Sequence, residues 1–231
     1  MYTIKKEKWV MQNSLSFAKL VKYIEKYNFK EFFNDWNADD FIDYFYEASE
    51  EYREGKWHCE YGATKMVIIM DDEDIVFKIP FNSTWDFGTK QFEFFYGAPC
   101  PSTWDYCEAE EERYNFAEDN GFSKYLAKTS MVYKTKNGVR IYIQSKCKTD
   151  SHHKTTSKRT YRTFSNWYKD TLPICDIKWL NTFIDYYGAY KLKLFFNFLS
   201  NEGWDDDLRH DNIGYTIEGK PVLIDYSSYW E

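Results

Sequence analysis

The segment DDDLRHDNIGYTIEGKPVLIDYSSYWE, residues 205–231, is dense in carboxylates and also contains one Asn, two Gly and a short apolar run. Two β-prone runs in it, Ile213–Ile217 and Val222–Ile224, are separated by the turn sequence Glu218–Pro221. Short β-prone runs on either side of a turn that contains Gly and Pro are typical of a hairpin. The pattern therefore predicts that the chain folds back here and brings the residues before and after the hairpin together.

Three side chains around this hairpin carry oxygen atoms that suit a cation. Asp207 and Asn212 are five residues apart in the preceding loop, and Asp225 follows the second strand. We expect Asn212 and Asp225 to offer two oxygens to one Mg²⁺, a cation that commonly takes one or two protein groups together with waters and phosphate oxygens. Asp207 is expected nearby, as a carboxylate for a hydroxyl nucleophile. The segment thus points to a divalent metal and a nucleotide phosphate.

The middle of the chain predicts a small antiparallel sheet with one helix. The runs Lys65–Met70 and Ile75–Phe81 flank an acidic turn, and an Asn-Gly pair at 137–138 separates two further β-prone runs. Both patterns indicate hairpins, and Asn-Gly is the strongest short hairpin signal. Between them, Cys107–Asn120 predicts a helix that Gly121 ends.

Helices are predicted on both sides of this sheet. Apolar residues recur at helical spacing within residues 14–55. A second strong helical pattern covers Ile177–Asn201, where Gly188 divides two halves. The predicted fold class is α+β, with a small antiparallel sheet and several helices.

The composition excludes several classes of protein. The chain has 231 residues, of which 43% are hydrophobic and 21% aromatic, so it is globular with a largely aromatic core. Its formal net charge of -7 argues against sequence-independent nucleic-acid binding, which needs a basic surface. Five cysteines without CxxC spacing argue against a zinc site or a disulfide framework. Free thiols, and the lack of a long apolar run, predict a cytoplasmic protein that is not inserted in a membrane.

Three short motifs resemble those of the protein-kinase-like superfamily. Asp207–Asn212 (DLRHDN) resembles the D-L-x-x-x-N catalytic loop, and Val222–Ser227 (VLIDYS) resembles the strand and D-F-G segment, with Tyr-Ser in place of Phe-Gly. Ile75–Ile79 (IVFKI) resembles the V-A-I-K strand, which carries the phosphate-binding lysine. The superfamily includes protein kinases and aminoglycoside-phosphotransferase-like enzymes. The resemblance covers residues 57–231, and the chain is also similar to short kinase-like proteins of bacteria and their phages.

This resemblance implies a bilobal fold. A lobe built of a small antiparallel sheet and a helix would be followed by a reduced, mainly helical lobe. The corresponding domains are a helical N-terminal extension at residues 1–56, the first lobe at 57–146 and the second lobe at 147–231. The second lobe would end just after the D-F-G-like segment.

The resemblance also implies how the chain would bind ATP. Lys78 would contact the α and β phosphates. A glutamate of the predicted helix would hold Lys78 by an ion pair. Glu110 is the first choice, and Glu111 and Glu108 are the alternatives.

The remaining roles fall on the 205–231 segment and follow from the same resemblance. Asp207 would act as the base or would orient the acceptor hydroxyl, and Asn212 and Asp225 would bind Mg²⁺. Arg209 stands where many members of the superfamily have a basic residue that touches the transferred phosphate.

The nucleotide-binding parts depart from the superfamily pattern. There is no G-x-G-x-x-G, and Gly62 is the only glycine near the first strand. The turn that contains Gly62 and Thr64 would cover the phosphates instead. The segment from Gln144 to Cys147 would be the hinge, whose backbone groups bind adenine.

Two hypotheses about function follow. The first is an ATP- and Mg²⁺-dependent phosphotransferase that acts on a small-molecule or protein hydroxyl. A protein substrate would dock on the N-terminal helices or on the basic segment 148–162. The second is a catalytically inactive, pseudokinase-like module that binds a partner protein, which would be a host factor if this chain is a phage protein. The missing glycine loop and the expected lack of an activation segment after Asp225 motivate the second hypothesis.

Overall fold

The computed structural model describes residues 15–26, 38–61, 65–80, 82–86, 91–95, 105–136, 139–149, 177–204 and 212–227. The chain divides into two compact units. The first consists of Met1–Glu108 with Thr129–Gln144, and the second of Ala109–Lys128 with Ser145–Glu231. The units are described separately below.

The described helices and strands form an α+β fold, the class that the sequence predicts. The helices are α1 (Leu15–Lys26), α2 (Ala38–Ala48), α3 (Glu50–Arg53), α4 (Tyr106–Asp119), α5 (Ile177–Tyr187) and α6 (Ala189–Asn201), with a 3₁₀ turn at Ser123–Tyr125. The strands are β1 (Trp57–Tyr61), β2 (Lys65–Met70), β3 (Ile75–Pro80), β4 (Asn82–Asp86), β5 (Gln91–Phe95), β6 (Thr129–Lys134), β7 (Arg140–Ser145), β8 (Ile213–Tyr215) and β9 (Pro221–Leu223).

The first unit is built on a five-stranded sheet with the strand order β1-β2-β3-β7-β6. The hairpins β2–β3 and β6–β7 are both antiparallel, which confirms the two hairpins predicted from the sequence. Strand β1 extends the sheet beyond β2, and β4 and β5 form a separate two-stranded sheet. The sequence analysis did not identify β1, β4 or β5.

Helix α1 and strands β2 and β3 share one apolar core in the first unit. The burial pattern on α1 follows helical spacing, with Phe17, Leu20 and Ile24 facing inward. Phe17 stacks on Phe77 of β3 with ring centroids 5.6 Å apart. Burying large aromatic side chains in such pairs supplies both apolar area and a preferred ring geometry. The N-terminal helix therefore belongs to the same core as the sheet.

The second unit has its own aromatic core around the 3₁₀ turn and helix α6. Tyr125 stacks on Phe195 with ring centroids 4.3 Å apart. Gly188, with a φ of 84°, separates α5 from α6, as the sequence predicts, because a left-handed backbone conformation is readily available only to glycine. Among the described helices, none has the length and apolarity required to cross a bilayer.

Asp105 fixes the start of helix α4 in the first unit. Its Oδ1 accepts hydrogen bonds from the backbone N–H groups of Cys107 and Glu108, both at 3.0 Å, as an N-cap does. Its Oδ2 accepts from Tyr142 Oη at 2.9 Å and from Arg140 Nη1 at 3.1 Å. Burial raises the pKa of the Asp105 carboxyl in spite of these partners. One carboxylate therefore joins the start of the helix to strand β7.

Replacing Asp105 by alanine should destabilise the chain by at least about 2 kcal/mol, because the change removes an N-cap and the carboxylate that accepts from the buried Tyr142 hydroxyl. Urea unfolding of Asp105→Ala and of the wild type measures the difference. Asp71→Ala is the matched control, because that side chain is 63% exposed and only faces His58 at 3.6 Å. The control should change stability by no more than about 0.5 kcal/mol. Equal effects of the two substitutions would contradict the conclusion that Asp105 joins the start of α4 to strand β7.

Candidate functional site

The β8–β9 hairpin brings Asn212 and Asp225 to the same end of two paired strands. Ile213 is opposite Leu223 and Tyr215 is opposite Pro221. The pairing continues beyond the strands, since the Ile224 N–H donates to the Asn212 carbonyl oxygen at 2.8 Å. Asn212 is therefore level with Ile224, the immediate neighbour of Asp225. The hairpin expected from the sequence is present and places the two expected metal ligands at one end of it.

The Asp225 carboxylate is oriented by a neighbouring hydroxyl. Ser227 Oγ donates to Asp225 Oδ1 at 3.1 Å, and the Ser227 side chain is buried. Asn212 is also buried, whereas Asp225 is partly exposed. A carboxylate with one oxygen held by a hydroxyl is restricted in rotation, which favours a defined coordination geometry.

Strand β9 is held by the segment that follows helix α4. The Ala127 N–H donates to the Leu223 carbonyl at 2.8 Å, and Leu126 forms a parallel bridge with Leu223. Tyr187 Oη lies 2.9 Å from the carbonyl oxygens of both Lys124 and Pro221. Burial raises the pKa of Tyr187, so its hydroxyl keeps the proton that it donates. The hairpin is thus tied to two other elements of the second unit.

A buried arginine holds the residue that follows Asp225. Arg113 Nη1 donates to the Tyr226 carbonyl at 2.7 Å, and the guanidinium lies 5.1 Å from the centre of the Trp204 ring. The Tyr226 hydroxyl donates in turn to the Ala127 carbonyl at 2.7 Å. Arg113 was not predicted as a site residue. It lies three residues after Glu110 on the same helix, and this spacing, which places both residues on one face, could have indicated it.

The segment after β7 packs closely against β8. Lys148 and Tyr215 exchange backbone hydrogen bonds of 2.9 Å in both directions. A Cβ placed on Gly214 would lie 2.5 Å from Cys147 Cβ and 2.8 Å from Ile224 Cγ2. Only glycine therefore allows the strand to come this close to the segment that the sequence analysis interprets as the hinge. Gln144, at the other end of that segment, is buried and its amide donates to Thr129 Oγ1 at 2.9 Å.

Lys78 and Glu110 are both charged residues with almost no exposed surface. Lys78 lies on β3, opposite Val67, and is 3% exposed, whereas Glu110 lies on α4 and is 0% exposed. Charged side chains are almost never so buried unless they are paired. Of the alternatives to Glu110, Glu111 is partly buried and Glu108 accepts a hydrogen bond from Arg140 at 2.6 Å.

Four of the expected site residues lie outside the described part of the chain. These are Gly62 and Thr64 of the phosphate-covering turn, and Asp207 and Arg209 of the catalytic-loop-like segment. Among the residues that the structure does describe, no three His, Cys, Asp or Glu side chains are grouped as a metal site. The chemistry available at the end of the hairpin is thus one amide oxygen and one carboxylate. That donor set suits a hard cation whose other ligands are waters or phosphate oxygens.

Comparison of the chain with protein-family models, with curated proteins and with solved structures found no match in any of the three.

Gly214→Ala should destabilise the chain by about 1–3 kcal/mol, because the new methyl group would overlap both Cys147 and Ile224. Chemical denaturation followed by circular dichroism measures the change. Ile217→Ala is the control in the same hairpin, because Ile217 is 78% exposed and its truncation should alter stability by no more than about 0.5 kcal/mol. If Gly214→Ala is as stable as this control, Gly214 does not need to be glycine for packing.

Proposed function

We propose that this chain is an ATP- and Mg²⁺-dependent phosphotransferase of kinase-like, bilobal architecture that acts on a hydroxyl group of a small molecule or a protein. The observation that carries the proposal is the hydrogen bond from the Ile224 N–H to the Asn212 carbonyl at 2.8 Å. It supports the proposal because it puts Asn212 level with the residue before Asp225. An Asn and an Asp from two separate motifs therefore share one end of a hairpin.

The proposed chemistry is positioning together with charge neutralisation. Mg²⁺ on Asn212 and Asp225 would offset the negative charge of the phosphates, and Lys78 would bind the α and β phosphates. Asp207 would orient the acceptor hydroxyl or take its proton, and Arg209 would contact the transferred phosphate. A lysine buried to 97% is consistent with this role, since a desolvated cation attracts phosphate more strongly than a solvated one.

The second candidate is a catalytically inactive kinase-like module that binds a partner protein. One sequence observation favours it: the chain has no G-x-G-x-x-G, and Gly62 is the only glycine between β1 and β2. A module of this kind has no need to hold the γ-phosphate for transfer. The two candidates differ in whether ATP and Mg²⁺ bind together and turn over.

Mg²⁺ with ATP should stabilise the chain, because a ligand that binds only the folded state shifts the unfolding equilibrium. At about 100 times its dissociation constant, the ligand adds about 2.7 kcal/mol. Thermal unfolding with ATP, measured with and without Mg²⁺, tests this expectation. Asp225→Asn should remove most of the Mg²⁺-dependent part, whereas Asp185→Asn, an exposed aspartate of α5, should not. If the wild type shows no shift with ATP under either condition, the binding module is the better proposal.

Asp207→Ala should lower the turnover of ATP by at least about 100-fold, the lower end of the range for loss of a general base. Nucleotide affinity should be retained, because Asp207 is expected to contact the acceptor and not the nucleotide. Turnover is followed as ADP release, and affinity by calorimetry. Asp205→Ala, two residues earlier in the same run of aspartates, is the matched control. Unchanged turnover in Asp207→Ala would exclude this residue as the base.

A further inference from the structure

We propose that Arg113 is a positioning residue for the Asp225 carboxylate at the end of the β8–β9 hairpin. This inference rests on the proposed function, and all of the contacts that support it lie within the second unit. Its starting point is that the residues on both sides of Asp225 are fixed by the main chain or by buried side chains.

The residue before Asp225 is fixed by strand pairing. The Ile224 N–H donates to the Asn212 carbonyl at 2.8 Å, and one residue earlier the Leu223 carbonyl accepts from Ala127 at 2.8 Å. Leu223 is completely buried. The chain therefore enters Asp225 from a backbone that is hydrogen-bonded on two sides.

The residue after Asp225 is fixed at both its main chain and its side chain. Arg113 Nη1 donates to the Tyr226 carbonyl at 2.7 Å, and the Tyr226 hydroxyl donates to the Ala127 carbonyl at 2.7 Å. Tyr226 is 4% exposed and Arg113 is 5% exposed. With residues 224 and 226 both held, the backbone of Asp225 has little freedom to move.

Arg113 itself is held in one orientation. Its guanidinium lies 5.1 Å from the centre of the Trp204 ring, within the range of a cation–π interaction. A guanidinium is planar and presents its donors in a fixed fork. The contact with Trp204 therefore restricts the direction in which Nη1 donates to Tyr226.

A positioning role and a purely structural role predict different results. Loss of a residue that orients a metal ligand typically weakens metal affinity or activity by about 10–100-fold. Loss of a residue that only fills the core lowers stability. It changes the affinity for ATP by the same factor whether or not Mg²⁺ is present. The informative quantity is therefore the ratio of the ATP dissociation constants measured without and with Mg²⁺.

Calorimetric titration of ATP into the full chain, with and without Mg²⁺, tests the proposal. Arg113→Met, which keeps the apolar volume of the stem, should lower the Mg²⁺-dependent ratio by about tenfold and leave the metal-free affinity unchanged. Arg113→Lys, which keeps a charged donor, should recover part of the loss. Arg53→Met is the matched control. Arg53 is exposed and lies in the first unit, and its Nη1 also donates a hydrogen bond to a backbone carbonyl, that of Glu47. It should leave the ratio at its wild-type value.

Two outcomes would overturn the proposal, and both differ from a failure of the proposed function. One is a wild-type ratio in Arg113→Met; the other is an equal loss of affinity with and without Mg²⁺. If Arg113→Met does not fold, Arg113→Gln replaces it, and a wild-type ratio in that variant overturns the proposal in the same way. If Mg²⁺ leaves the ATP affinity of the wild type unchanged, the metal site of the proposed function fails, and the positioning role fails with it.

Discussion

The hydrogen bond between the Ile224 N–H and the Asn212 carbonyl is the constraint on which the candidate site depends. It extends the β8–β9 ladder by one pair and sets which residues meet at its end. A shift of the register by one residue would turn every side chain of one strand to the opposite face. Asn212 would then no longer lie level with Ile224, the neighbour of Asp225. The placement of Asn212 at the end of β9 is therefore a consequence of strand register.

Close packing protects this register. Gly214 has no Cβ, and so β8 approaches Cys147 at a distance that any other residue would block. The backbone bonds between Lys148 and Tyr215 fix the same strand along its length. On the other side, Ala127 pairs with Leu223 of β9. A two-stranded hairpin alone is marginally stable in water, so these flanking contacts supply the support that it lacks.

Local sequence patterns predicted most of the fold. Both hairpins of the first unit, helix α4, the break at Gly188 and the β8–β9 hairpin follow from alternation, helical spacing and turn residues that act within a few positions. Strand β4 was missed, because Asn82–Asp86 carries polar residues at most of its positions and gives little apolar alternation. Elements with a strong local pattern can be predicted from a short window of sequence. A strand without such a pattern is recognised only from its pairing in the fold.

The candidate site was predictable only in part, for a related reason. The oxygen-bearing residues Asn212 and Asp225 are recognisable because they flank one hairpin. The spacing of Arg113 from Glu110 places both on one helix face, but its partner Tyr226 is 113 residues away. Which carbonyl Arg113 binds is therefore known only from the fold. Sequence patterns thus indicated the ligands of the site but not the residue that supports them.

The long separation between Arg113 and Tyr226 has a consequence for folding. The β8–β9 hairpin closes over about ten residues and can form early, whereas joining Arg113 to Tyr226 encloses most of the second half of the chain. The entropy lost in closing a loop grows with its length, and contacts of high sequence separation form slowly. We expect Asp225 to reach its final position among the last steps of folding. On the ribosome that step must wait until Tyr226 has been synthesised.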